Sequence, residues 1–294
     1  MQKIVPHLWF DTEAIEAANF YVSVFKNSSI ISSSSLTGTP SGKVDMVSLN
    51  ISGYQMMFLS AGPYFKINPS ISFMYSCETA KEVEDLWGKL IVGGTALMEL
   101  GTYDFSQKYG WVLDKFGVSW QIMLAAAKPI RQVINPSLMF IGSNCGKTEE
   151  AVHFYASVFK NSRVGEMARY EGTEGPDKQG SVKYAPFSLE GQAFTAMDSA
   201  YDHKFALNEA VSFMVYCKDQ KELDYYWDKL SAVPESEQCG WLKDKYGVSW
   251  QIVPSIMDEM MRAGDAEKTG RVTEAFLKMK KFDIAALVKA YEGS

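Results

Sequence analysis

The side chains that most often hold metal ions or move protons are scarce in this chain of 294 residues. Histidine occurs only at positions 7, 153 and 203. The four cysteines form no CxxC pair; they are Cys77, Cys145, Cys217 and Cys239. A catalytic zinc site needs three protein ligands, most often from His, Asp, Glu or Cys. The sequence therefore predicts free thiols and offers few histidines for a metal site or for acid–base chemistry.

A glutamine directly after a tryptophan recurs near the end of each half of the chain, as Trp120–Gln121 and Trp250–Gln251. Both pairs lie in short runs that are typical of a β-strand. Alternation puts each glutamine and its tryptophan on opposite faces of that strand. A glutamine on an inner face can orient a polar ligand by donating and accepting hydrogen bonds, or it can be satisfied by its strand neighbours. The tryptophans are either core residues or a platform for a ligand.

Three more residues are ligand-binding candidates. His7 and Trp9 lie in the first predicted strand, VPHLWF, and His203 lies in a later connecting segment. His7 is a candidate ligand or general base that faces a cleft; the alternative is a strand histidine at the surface or at a contact between domains. His203 either borders the cleft or is an exposed loop histidine. His153 is expected on a solvated helix surface.

The elements that must position these residues occur twice. FYVSVFKNSSI at 20–30 recurs as FYASVFKNSRV at 154–164, and GWVLDKFGVSWQIM at 110–123 recurs as GWLKDKYGVSWQIV at 240–253. Such a long period indicates a tandem duplication of a whole domain. We therefore predict copy 1 at residues 1–128, copy 2 at residues 129–254, and a helical tail at residues 255–294.

Each copy is predicted to contain strands and helices in the order βαβββ–βαβββ. Residues that commonly cap helix N-termini mark the predicted helix starts. They are Asp11 and Thr12 before the first helix, Thr79 with Glu82, Asp219 with Glu222, and Asp283 in the tail. The tail beyond Pro254 is predicted to form two or three amphipathic helices that pack against the rest of the chain.

This pattern resembles the vicinal oxygen chelate superfamily, which includes glyoxalase I, extradiol dioxygenases and bleomycin-binding proteins. The FYxxxF motif of the first helix and the DxxGxxWQI motif of the closing strand carry the resemblance. Within the superfamily, the chain resembles the PhnB-like branch, often labelled "3-demethylubiquinone-9 3-methyltransferase" domain. The resemblance implies an α+β fold with tandem glyoxalase-like domains. Each would consist of paired βαβββ modules that form a curved mixed sheet around a cleft.

The resemblance also bears on metal binding. Metal-using members place His or Gln early in the first strand, His near the start of the fifth strand and Glu on the last. The corresponding positions here are Pro6 or His7 and Pro136 or Ser137, then Ser70 and Glu209, then Gln121 and Gln251. Neither copy keeps a His/His/Glu set, so the resemblance implies a metal-free protein, and we expect no other cofactor. A literal methyltransferase is not expected either, because no GxGxxG turn for its cofactor is present.

Charge and composition exclude several classes of partner. The net charge is −6 and the sequence contains no run of Lys or Arg, so we expect no binding to nucleic acid. No apolar stretch approaches the roughly 20 residues that a membrane span needs. The N-terminal residues MQKIVPHLWFD do not resemble a signal peptide. These features predict a cytoplasmic protein.

Three functions stay open at this point. The first is a metal-free protein that binds a small molecule in a cleft of one or both domains. The second is a metal- or cofactor-dependent enzyme of the superfamily. The third is a structural or partner-binding pseudo-dimer. In each case we expect the two copies to form an intrachain pseudo-dimer, and a further homodimer stays open.

Overall fold

The computed structural model describes residues 2–39, 41–172, 174–262 and 265–293. Its strands are β1 (Ile4–Phe10), β2 (Ser29–Thr39), β3 (Gly42–Ile51), β4 (Tyr54–Ser60), β5 (Ile71–Cys77), β6 (Thr95–Tyr103), β7 (Ser106–Leu113), β8 (Ser119–Leu124), β9 (Ile134–Ile141), β10 (Arg163–Val164), β11 (Ala168–Arg169), β12 (Val182–Leu189), β13 (Gln192–Ser199), β14 (Val211–Cys217), β15 (Trp241–Lys243) and β16 (Ser249–Pro254). Its α-helices are α1 (Ala14–Val24), α2 (Ala80–Leu90), α3 (Thr148–Val158), α4 (Gln220–Leu230), α5 (Ser255–Arg262), α6 (Ala266–Phe276) and α7 (Ile284–Glu292). None of these helices is long and apolar enough to cross a membrane.

The chain forms two compact units, a larger one of residues 8–210 and a smaller one of residues 1–7 and 211–294. The larger unit contains a nine-stranded mixed sheet in the order β10-β12-β13-β9-β5-β8-β7-β6, with β11 paired to β12. Two parallel pairs, β5–β8 and β9–β13, meet where β5 and β9 run antiparallel. The sheet thus joins the second module of copy 1 to the first module of copy 2.

Helix α2 illustrates how local sequence determines the helices of the larger unit. Val83, Leu86, Trp87 and Leu90 are buried and recur at the spacing of one helix face. Thr79 caps the helix as predicted, since its side chain accepts a hydrogen bond from the Glu82 N–H at 3.1 Å. The buried stripe packs α2 against β7 and β8, which leaves the other face of the sheet to the polar residues described below.

The predicted cap of α1 is wrong. The helix begins at Ala14, and neither Asp11 nor Thr12 accepts a bond from its first turn. The Ala14 N–H donates instead to the Ser60 Oγ at 2.9 Å, in a buried contact that bridges 46 residues of sequence. Ser60 ends β4, so a strand of the adjoining β2–β3–β4 meander supplies the acceptor that a local side chain was expected to supply.

In the smaller unit, β16 pairs with β14 in parallel and with β15 in antiparallel fashion. Asp219 caps α4 as predicted, because its side chain accepts from the Glu222 N–H at 2.8 Å. The ring centroids of Phe213 and Trp250 lie 5.5 Å apart in the buried core of this unit. The first residues of β1 belong here too, since the Tyr216 N–H donates to the Lys3 carbonyl.

The helical tail is present as predicted, and α7 starts at the predicted cap Asp283. The tail also supplies hydrogen-bond acceptors where copy 2 lacks a counterpart of β6. Copy 1 has 19 residues between Leu90 and Gly110, enough for β6, whereas copy 2 has 9 between Leu230 and Gly240. Within the fully described segment 231–240 we find a short 3₁₀ turn instead of a strand. The N–H groups of Cys239 and Gly240 donate to tail carbonyls 279 and 280, both at 2.8 Å.

Candidate functional site

Gln121 lies on the face of the nine-stranded sheet that is opposite to α2. Its Nε2 donates to the Ser72 Oγ at 2.6 Å, and its Oε1 accepts from the Tyr109 Oη at 2.7 Å. All three side chains are buried. Burial raises the pKa of the Tyr109 phenol well above its usual range, so the phenol keeps its proton and acts as a donor.

More uncharged polar groups extend this arrangement. The indole Nε1 of Trp111 donates to the Ser119 Oγ at 2.7 Å. On the neighbouring strand β9, Ser137 lies directly opposite Ser72, and on β13, Thr195 lies directly opposite Ser137. The three side chains therefore share one face of the sheet. We call the group Ser72, Tyr109, Trp111, Ser119 and Gln121 the Gln121 cluster. Every member is neutral.

The smaller unit contains a counterpart, which we call the Gln251 cluster: His7, Ser212, Trp241, Ser249 and Gln251. The Gln251 Nε2 donates to the Ser212 Oγ at 3.0 Å. Ser249 lies directly opposite Ser212, and Trp241 lies opposite Gln251. The Tyr216 N–H donates to the Lys3 carbonyl, so residues 216 and 3 face each other on the adjacent strands β14 and β1. Because the two strands are antiparallel, His7, four residues after Lys3, lies opposite Ser212, four residues before Tyr216. The rings of His7 and Trp241 meet edge to face at 5.4 Å.

Two polar atoms of the Gln251 cluster are buried without a hydrogen-bond partner, His7 Nδ1 and Ser249 Oγ. His7 is 4% exposed and Ser249 is 1% exposed. Burial lowers the pKa of His7 to about 3, because removal from water disfavours the imidazolium form. The imidazole is therefore neutral at physiological pH, with one nitrogen that can donate and one that can accept.

The structure places Trp120 and Trp250 in the core and outside both clusters. Each is buried, and each indole Nε1 donates to a buried carboxylate: Trp120 to Asp114 Oδ2 at 3.0 Å, and Trp250 to Asp244 Oδ2 at 2.8 Å. The DxxGxxW motif, which occurs in both copies, thus places an aspartate to accept a structural hydrogen bond from the tryptophan. Alternation along the strand had already separated each tryptophan from its glutamine.

Trp9 and His203 also lie apart from the Gln121 cluster. The Trp9 Nε1 donates to the Gly62 carbonyl at 2.7 Å, and its ring packs on Phe65 at 5.1 Å. The His203 Nε2 is 2.9 Å from the Ser199 Oγ, and partial burial lowers its pKa. Ser199 follows Thr195 by four strand residues, or about 13 Å. His203 is therefore near the end of this face and not at its centre.

Sequence reasoning missed several cluster members. They are Ser72, Tyr109, Trp111, Ser119, Ser212, Trp241 and Ser249. A signal for some of them was present, because Ser-Phe at 72–73 and 212–213 and Gly-Trp at 110–111 and 240–241 recur in both copies. That signal could have indicated a repeated polar face, but it could not have shown which hydroxyl bonds to which amide.

The clusters do not fit the metal ion that the superfamily implies. Their donors are hydroxyls, amides and one imidazole, which are poor partners for a divalent cation without a carboxylate or a second histidine. No group of three His, Cys, Asp or Glu side chains that could hold a metal occurs within the described ranges. Burial raises the pKa of the Cys77 and Cys217 thiols to about 12, so both thiols keep their protons at neutral pH.

Comparison with solved structures identifies the class of fold. Glyoxalase I from Zea mays is 13% identical and covers 88% of this chain and 96% of its own, with a TM-score of 0.53. A putative dioxygenase from Bacillus subtilis is 10% identical and covers 84% of each chain, with a TM-score of 0.51. At these identities the likeness shows a shared glyoxalase-like fold and nothing about activity.

The sequence family is more specific. The family model described as 3-demethylubiquinone-9 3-methyltransferase matches residues 2–123 and again residues 132–253. The chain therefore belongs to this PhnB-like family and contains two tandem copies of its domain. A putative 3-demethylubiquinone-9 3-methyltransferase, PhnB protein, from Bacillus cereus is 37% identical over 42% of this chain and 100% of its own, with a TM-score of 0.40. No curated protein sequence matches the chain.

Proposed function

We propose that this protein binds a small, uncharged molecule, without a metal ion, on the sheet face that carries the Gln121 cluster, the Gln251 cluster or both. The observation that carries the proposal is the amide–hydroxyl pair Gln121–Ser72 and its repeat Gln251–Ser212. Each pair is buried, and its glutamine occupies the position at which the resemblance implies a carboxylate in metal-using members. An amide can both donate and accept hydrogen bonds without the desolvation cost of a buried charge.

The chemistry of the faces favours a neutral ligand. A charged ligand would need a compensating charge on the protein, because an unpaired buried ion is strongly destabilising. The ten residues of the two clusters provide none. A methionine lies opposite each glutamine, Met74 at Gln121 and Met214 at Gln251, and the Met74 sulfur accepts a hydrogen bond from the Thr195 hydroxyl at 3.2 Å. Methionine side chains adapt to the shape of an apolar ligand.

A titration with 2-naphthol tests the proposal, because this probe is neutral, apolar and carries one hydroxyl. We expect saturable binding by isothermal titration calorimetry, the same in EDTA and in buffer with added Zn²⁺ or Ni²⁺. Elemental analysis after mild purification should find less than about 0.1 equivalents of metal, since no three-ligand site lies among the described residues. Binding that appears only after a divalent metal is added would instead support the metal-dependent enzyme.

A further inference from the structure

The two clusters differ in how completely their hydrogen bonds are made. In the Gln121 cluster, Tyr109 satisfies the Gln121 carbonyl oxygen and Trp111 satisfies the Ser119 hydroxyl. Each group therefore finds its partner inside the protein. This is the arrangement expected of a structural polar network in a folded core.

The Gln251 cluster lacks both of these bonds. Cys239 stands where copy 1 has Tyr109, so no phenol is present there to donate to Gln251. Trp241 is kept, but its ring packs edge-on against His7, and the Ser249 hydroxyl has no partner. His7 itself replaces Ser137 of the other sheet and adds a second unpartnered buried atom, Nδ1.

Such unpaired groups are costly in a folded protein. A buried donor or acceptor that loses water and gains no partner loses stability, so native interiors retain few of them. The Gln251 cluster contains two such atoms, both in residues that are more than nine-tenths buried. They indicate a binding site for a molecule that supplies the missing hydrogen-bond partners. Lys243 lies directly opposite Ser249 on β15, but it makes no hydrogen bond to the Ser249 hydroxyl.

We propose that the Gln251 cluster is the ligand site of this protein and that the Gln121 cluster is a structural relic of the duplication. The ligand is an uncharged molecule with a hydroxyl or amino group that bonds to His7 Nδ1 and Ser249 Oγ, and with an apolar body that lies against Trp241 and Met214. This inference rests on the proposed function and deepens it, because it assigns the site and the class of ligand.

The experiment compares 2-naphthol with naphthalene, which has the same apolar rings but no hydroxyl. The full-length variants are Ser249→Ala, His7→Leu and the position-matched Ser119→Ala. We expect one molecule of 2-naphthol per chain, bound about tenfold more tightly than naphthalene, a difference typical of one well-formed hydrogen bond. Ser249→Ala and His7→Leu should each remove most of that difference, whereas Ser119→Ala should leave it unchanged. Circular dichroism and thermal melting verify that each variant folds.

A second measurement observes the site directly. In protein labelled with [¹⁵N]histidine, 2-naphthol should shift the ring signals of His7 and leave those of His153 and His203 in place. Loss of binding in Ser119→Ala with retention in Ser249→Ala would overturn the assignment, as would two equal sites per chain or an unshifted His7. Failure of the wild-type protein to bind 2-naphthol at all would instead overturn the proposed function, and this inference with it.

Discussion

Among single residues, Gln121 shows why an amide suits this interior better than a carboxylate. It is 6% exposed and uses both ends of its side chain, one toward Ser72 and one toward Tyr109. A carboxylate would keep the bond from Tyr109 but would lose the amide donor to Ser72 and most of its own hydration. The difference between the two side chains is therefore a difference in desolvation, which is measurable as stability.

The substitution Gln121→Glu should lower the free energy of unfolding by about 1–3 kcal/mol at pH 7. Burial raises the pKa of the new carboxyl above its unfolded value of about 4.3. The deficit is therefore present at high pH and shrinks as the pH falls and the carboxyl gains its proton. Urea unfolding at pH 7 and pH 5, with Gln251→Glu as the matched variant, measures both effects. Wild-type stability at pH 7 in both variants would show that neither position is desolvated.

His7 leads to a pH prediction of its own. Its folded pKa of about 3 lies below the unfolded value of about 6.5, so the unfolded chain binds the additional proton between these limits. Stability should therefore be complete above about pH 6.5 and fall on acidification by about 1.4 kcal/mol per pH unit from this group. The difference in unfolding free energy between wild type and His7→Asn, measured from pH 7.5 to 4.5, isolates the contribution of His7. An unchanged difference across that range would mean that His7 is hydrated.

Among the elements, the start of α1 depends on a residue from another strand. The first helical N–H bonds to Ser60 at the end of β4, which holds the helix against the meander as well as capping it. Helix N-termini have N–H groups without partners inside the helix, and a buried one needs a side-chain acceptor.

The substitution Ser60→Ala should therefore destabilise the protein by about 1 kcal/mol. Thr12→Ala is the matched control, because Thr12 was a plausible cap by sequence but accepts no bond from the helix; its effect should be within about 0.5 kcal/mol. Chemical unfolding followed by circular dichroism compares the two. If Thr12→Ala lowered the free energy of unfolding more than Ser60→Ala, Thr12 would be the cap of α1, as the sequence predicted.

For the molecule as a whole, the decisive feature is that its nine-stranded sheet draws its halves from different sequence copies. Residues 71–75 of β5 pair with residues 134–138 of β9, across the joint between the predicted domains. A cut at residue 128 would separate these strands and leave β5 with an open edge. Open edges of buried strands are templates for association.

Residues 1–128 expressed alone should therefore self-associate or aggregate. Residues 8–210, which retain the β5–β9 pair and every strand of that sheet, serve as the matched comparison and should associate less. Sedimentation velocity at about 10 µM distinguishes the two, an order of magnitude at which edge-driven association is commonly seen. A folded, monomeric 1–128 would show that copy 1 completes its own sheet without its neighbour.

The sequence by itself determined the family, the duplication, the absence of a His/His/Glu set, and the helices whose caps lie next to them in sequence, such as Thr79 before α2. All of these depend on residue identity and on spacings of a few positions. The alternation of β8 also separated Gln121 from Trp120 correctly. Local periodicity can be interpreted without a fold because it reflects the geometry of one strand or helix.

Only the tertiary structure decided which strands meet and which polar atoms are satisfied. Gln121 bonds to Ser72 across 49 residues of sequence, and Ala14 bonds to Ser60 across 46. The meeting of His7 with Trp241 joins still more distant segments. Burial and hydrogen-bond completion are properties of chain segments brought together by folding, so the same Ser-Phe and Gly-Trp repeats yield complete hydrogen bonds in the Gln121 cluster and incomplete ones in the Gln251 cluster.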